Sequence, residues 1–143
     1  MKLIRLTFAF LLFASNISAQ KVTKLTITDN LSTASRFSYG KAKPAPAKDH
    51  FYILSDKGTQ VLFYAELNST DSTSLSYSTL KFTAYKTNSG KDEWVDDRVI
   101  DIKIGSTYVM TAFNFSEIGN YKIIIGPEIG NEILAQGTFI ITK

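Results

Sequence analysis

Cysteine is absent from this chain, and the absence removes several chemistries at once. Without it there is no disulfide framework, no thiolate zinc site and no thiol nucleophile. A bacterial lipoprotein anchor, which needs a cysteine at the cleavage position, is closed as well. Histidine is almost as scarce, with His50 alone, and one imidazole cannot supply a multi-histidine metal site. His50 beside Asp49 has the residue types of a general base. That role also needs a placed nucleophile and an oxyanion hole, and no nucleophile-elbow sequence occurs. The expectation is therefore no catalytic residue, no metal and no cofactor. Long apolar runs are confined to the first nineteen residues, so no transmembrane segment is expected after them.

That first segment reads MKLIRLTFAFLLFASNISAQ. Lys2 and Arg5 make a basic start, residues 6–14 an apolar stretch too short to span a bilayer, and Ile17-Ser18-Ala19 a cleavage region ahead of Gln20. This order is that of a secretory signal peptide, so the expected mature chain is residues 20–143. The formal charge of +3 then shrinks. Residues 1–19 hold Lys2 and Arg5 and no acid, which leaves 14 basic residues against 13 acidic. No basic patch suits nucleic acid. Small extracellular animal domains usually carry disulfides, so a cysteine-free exported chain fits the bacterial envelope, in the periplasm or at the cell exterior. The sequons at Asn68-Ser69-Thr70 and Asn114-Phe115-Ser116 then stand as chance matches.

The 124 residues that remain are enough for one domain with a core of its own. Thr, Ile, Val, Tyr and Phe set a period of two and no helical period emerges. Alternating stretches fall at residues 22–28, 51–54, 60–67, 79–85, 99–104, 107–115, 121–125 and 133–142, with a short edge strand expected at 36–39. Val61, Phe63, Ala65 and Leu67 share a face, with Leu62 and Tyr64 on the other. Ile100, Ile102 and Ile104 are expected to point inward. Residues 29–50 form a connector, extended and exposed where Pro44 and Pro46 punctuate it. Residues 55–58, 87–91 and 116–119 have turn composition and 68–78 loop composition. About eight strands with turns at this spacing describe an all-β sandwich, and no solenoid or propeller repeat is present.

The stretch from Phe113 to Ile123 resembles the E–F corner of immunoglobulin-like domains. An acidic residue, a small residue and a tyrosine recur there at alternate positions, as Glu117, Gly119 and Tyr121 do here. The resemblance implies an immunoglobulin-like antiparallel sandwich. In it the Tyr121 ring is buried and its hydroxyl bonds backbone upstream. Ile123 would stand where the family often has a core cysteine, and Phe82 where it has a tryptophan. The likeness is to cysteine-free bacterial members found in exported proteins, and such domains carry no common chemistry.

The most conspicuous polar cluster is Asp92, Glu93, Trp94, Asp96 and Asp97, between Lys91 and Arg98. Four carboxylates around an indole could bind calcium or grip a sugar by stacking and hydrogen bonding. The plainer reading is preferred, an exposed loop with Trp94 tucked on the sandwich edge, because charge runs are usually solvated. Tyr64, Tyr85 and Tyr108 could form a carbohydrate platform, although cross-strand packing is the commoner use of such residues. The sequence 126–131 is a turn with no phosphate-loop ending. Together these readings favour an exported, non-enzymatic module that binds another envelope protein or serves as an accessory subunit. A carbohydrate-binding module ranks second and a small enzyme third.

If residues 1–19 are an export signal, intact-mass measurement of the envelope form should place its N-terminus at Gln20 or within a few residues. Retained Met1 on exported protein would remove the cleaved-signal reading.

Overall fold

A computed structural model describes residues 22–30, 43–53, 56–68, 78–103 and 105–143. The signal segment, the short strand expected at 36–39, most of the 68–78 loop and Ile104 lie outside these. The described residues form eight strands: β1 (Val22–Thr28), β2 (His50–Tyr52), β3 (Thr59–Leu67), β4 (Thr79–Asn88), β5 (Lys91–Asp101), β6 (Tyr108–Phe115), β7 (Gly119–Pro127) and β8 (Ala135–Thr142). One sheet has the order β1-β3-β6, the other β2-β8-β7-β4-β5. Every pairing is antiparallel except β2 with β8. Among the described residues no helix is long and apolar enough to cross a membrane.

Each inner face is written in the sequence with period two. Val61, Phe63 and Ala65 on β3, Phe82 and Ala84 on β4, and Ile123 and Ile125 on β7 have no exposed surface at all. Leu80, Phe113, Phe115, Phe139 and Ile141 join them. Most of the expected boundaries shift by a residue or two. The turn expected over 87–91 contracts to Ser89 and Gly90, which both have positive φ, so Asn88 and Lys91 pair as strand residues. Such two-residue turns match the twist of the strands they join. The connector is less free than its prolines suggest. Lys48 donates its backbone N–H to the Ile27 carbonyl and Ala45 to that of Asn30, while the Thr28 hydroxyl donates to the Pro46 carbonyl.

One expectation is overturned. Residues 91–98 are not a loop but the greater part of β5, an edge strand running to Asp101. The strand expected at 99–104 is thus the end of a longer one, and Ile102 is buried just beyond it. The last strand starts at Ala135, leaving Ile133 exposed in the preceding loop.

The Tyr121 ring lies in the interior at 3% exposure. Its hydroxyl donates to the Glu117 carbonyl at 2.8 Å. Burial raises the phenol's pKa, opposed by the nearby Lys86 cation. Gly119 has φ +153°, where other residues rarely go, and a Cβ there would come within 2.8 Å of Lys86 Cε. Lys86 in turn donates to Glu117 at 2.6 Å. The acid, the glycine and the tyrosine of the corner thus share one set of contacts.

Tyr121→Phe should cost on the order of 1 kcal/mol by chemical denaturation, since only a hydrogen bond is lost. Tyr121→Ala should cost roughly 3–5 kcal/mol through the cavity it opens. An alanine variant that melts like the parent would show that the corner does not brace the sandwich.

Candidate functional site

The cluster from Asp92 to Asp97 is distributed by one irregularity. Ala84 faces Asp96 across the β4–β5 ladder, yet Tyr85 faces Trp94, so Val95 is an extra residue in a β-bulge. Val95 turns toward the core and packs against it. The alternation restarts after it. Trp94 and Asp97, three apart in sequence, therefore stand opposite Tyr85 and Thr83 on the outer face of the five-stranded sheet. Asp96 and Arg98 oppose the inward residues Ala84 and Phe82. Arg98 reaches across the open edge to sit 5.2 Å from the centre of the Phe113 ring. Bulges re-aim side chains in this way.

The bulge corrects the sequence reading of Trp94. Its indole is not tucked on the edge but 62% exposed. It forms one side of a cleft of about 400 Å³. The floor is Lys81, Thr83 and Tyr85 of β4 with Ile124 and Gly126 of β7, and Asp97 flanks Trp94. The opposite wall is Pro127 at the end of β7 and the β7–β8 loop, including Glu128, Asn131, Glu132 and Ile133. Gly126 permits this arrangement, because any Cβ there would overlap the Glu132 carbonyl oxygen. The loop is also tied back through Leu134, which donates to the Ile125 carbonyl at 2.8 Å.

The polar groups in and around the cleft are organised by pairs. Lys81 meets Asp97 at 2.7 Å, and this hydrogen bond raises the lysine's pKa. The Thr79 hydroxyl donates to Glu128 at 3.0 Å. Lys122 pairs with Asp92 and its ammonium lies 5.9 Å from the centre of the Tyr85 ring. Asp92 also accepts from the Thr87 hydroxyl at 2.9 Å. Lys122 first and Thr87 second hold its carboxyl below the usual range. Glu93 accepts from the Asn88 amide.

The structure brings together only part of what the sequence singled out. Tyr64 and Tyr108 stack at 4.9 Å, but on the three-stranded sheet. Tyr85 lies on the other sheet, so no row of three tyrosines exists. His50 is exposed on β2, next to Tyr52. Sequence reasoning missed Lys81, Gly126, Glu128 and the loop wall. The only signal for them was the Gly-Pro pair followed by Gly-Asn, which marks a turn without showing which way it folds.

One solved structure with a similar fold is an immunoglobulin-like protein from Pseudomonas aeruginosa, with a TM-score of 0.50 at 13% identity, covering 85% of this chain and 98% of that one. The fold is immunoglobulin-like. No family model and no curated protein matches the chain. Identity this low carries the fold alone.

The immunoglobulin-like frame also separates the four carboxylates. Asp92 and Asp97 face outward, each with its own lysine, Asp96 faces inward, and Glu93 is held by Asn88. Among the described residues no three acidic or histidine side chains converge as a cation would need. Neither EDTA nor added calcium should move the melting temperature. A large fall with EDTA, restored by calcium, would mean that these carboxylates do converge on a cation.

Proposed function

We propose that the chain is an exported, non-enzymatic immunoglobulin-like recognition module. It engages a component of the bacterial envelope through the outer face of its five-stranded sheet. The observation that carries this reading is Trp94, the chain's one tryptophan, which stands exposed beside Tyr85 on that face. Exposed apolar residues scattered singly need no explanation, whereas a grouping of them marks an interaction surface. Of eight large apolar side chains exposed among the described residues, four are on this face, Trp94 and Val99 at its β5 edge and Tyr52 and Ile140 at its β2–β8 edge. Ile129 and Ile133 are on the loop beside it. Only Met110 and Ile118 lie elsewhere.

Export rests on the basic, apolar and small-residue order of residues 1–19 and on the lack of cysteine. The non-enzymatic reading rests on the single exposed histidine and on the pairing of the acidic groups within the lining. The resemblance to exported bacterial immunoglobulin-like domains ranks a protein partner ahead of a glycan. The lining of the cleft supports the opposite order.

The missing cysteines make a clean test possible. Thr138→Cys and Val99→Cys place a thiol on the proposed face, and Met110→Cys places one on the other sheet, all at exposed positions. Purified proteins should react with a maleimide at similar rates. In the intact envelope the first two should be shielded several-fold relative to the third. Equal labelling of all three in the envelope would remove this face as the working surface.

A further inference from the structure

We propose that the cleft between Trp94 and the β7–β8 loop binds a neutral oligosaccharide. The proposal rests on the five-stranded face being the working surface and adds the chemical class of its ligand. Three features of the cleft converge on that class.

The first is a rigid aromatic platform. Sugar rings present C–H groups of slight positive charge, which suit the negative face of an indole. Trp94 offers such a surface at 62% exposure. It is held on a paired strand rather than a loop, at the place where the Val95 bulge aims it outward. The second is the placement of acceptors. Asp97 stands on the Trp94 side and Glu128 on the loop side of the same cleft. Each carboxylate has about four lone-pair sites. Asp97 meets Lys81 and Glu128 accepts from Thr79. These contacts fix the orientation of each group and leave acceptor capacity for pairs of hydroxyls. Lys81 and the Asn131 amide supply donors.

The third is charge. One lysine against Asp97, Glu128 and Glu132 gives the lining a formal charge of −2. That field disfavours phosphate, uronate and sulfated chains as well as nucleic acid. A protein partner would ask for the reverse lining, since charged groups are depleted at the centre of protein interfaces. A neutral polyol both stacks and hydrogen-bonds without placing its own charge against this field. The cleft volume of about 400 Å³ is in the range of small-ligand sites.

Because Trp94 is the sole tryptophan, all of the protein's indole emission comes from the wall of this cleft. The purified chain should be titrated with cello-, xylo-, manno- and N-acetylglucosamine hexamers, with an oligogalacturonate as anionic control. At least one neutral hexamer should change the emission saturably, and the galacturonate should not. By calorimetry, Trp94→Ala should lower that affinity at least ten-fold while the melting temperature holds. Asp97→Asn should lower it by a smaller factor. Silence from all four neutral hexamers at millimolar concentration, or undiminished binding by Trp94→Ala, overturns the proposal. Tighter binding of the galacturonate does so too. Shielding of Thr138→Cys in the envelope together with silent sugars defeats the glycan but spares the face, and points to a protein ligand.

Discussion

Phe139 is the side chain on which the two sheets meet. Its ring lies 5.8 Å from Phe51, 5.6 Å from Phe63, 5.3 Å from Phe115 and 5.5 Å from Tyr121. Those five rings come from β2, β3, β6, β7 and β8, so one cluster joins five strands across both layers. Most pairs are tilted or edge-on, and Tyr121 stacks nearly parallel to Phe139 at 13°. Such contacts are each worth about 0.5–1.5 kcal/mol beyond the apolar area they bury. The cluster joins the two sheets without a disulfide, and by a different physical route from one. A disulfide stabilises chiefly by restricting the unfolded chain, whereas packed rings act only in the folded state. It also explains why the corner tyrosine matters. Its ring completes the cluster while its hydroxyl ties β7 to the turn that precedes it.

How much of this can be read from the sequence follows from the nature of each signal. The inward residues of β3, β4, β7 and β8 were legible because burial on one face imposes strict alternation. The corner was legible because three residue types at fixed spacing meet three separate demands there. These are a carbonyl for the tyrosine hydroxyl, a backbone with φ +153°, and a carboxylate for Lys86. The strand at 91–98 was not legible. Its charges look like a solvated loop, yet the same charges suit an exposed edge, where they discourage pairing with other chains. Arg98 adds to that protection by pointing inward over Phe113. The bulge hid the face further. A strict alternation puts Trp94 and Asp97 on opposite sides of the sheet, and only the extra residue at Val95 puts them together.

The loop wall was illegible for a different reason. Gly126 followed by Pro127 announces a turn, but a turn can fold to either side of a sheet. What decides the side is the missing Cβ at Gly126, which lets the Glu132 carbonyl rest on the strand. This is a contact between residues six apart, made through the backbone, and no hydrophobic pattern encodes it. Close approaches of this kind are a common use of glycine inside a strand.

Core and cleft turn out to share a strand. Tyr121, Ile123 and Ile125 of β7 point into the sandwich, and Lys122, Ile124 and Gly126 alternate with them on the outside. Lys122, itself paired with Asp92, lies over the Tyr85 ring face, Ile124 is part of the floor, and Gly126 seats the loop. A ligand-contacting surface needs side chains whose positions do not drift when the ligand arrives, because ordering them on binding subtracts from affinity. Here the inward half of β7 is locked by the aromatic cluster and the Tyr121 hydrogen bond. The outward half inherits that rigidity through a backbone paired on both sides, with β4 and β8. The interactions that hold the fold without a disulfide are thus the same ones that hold the floor of the cleft still.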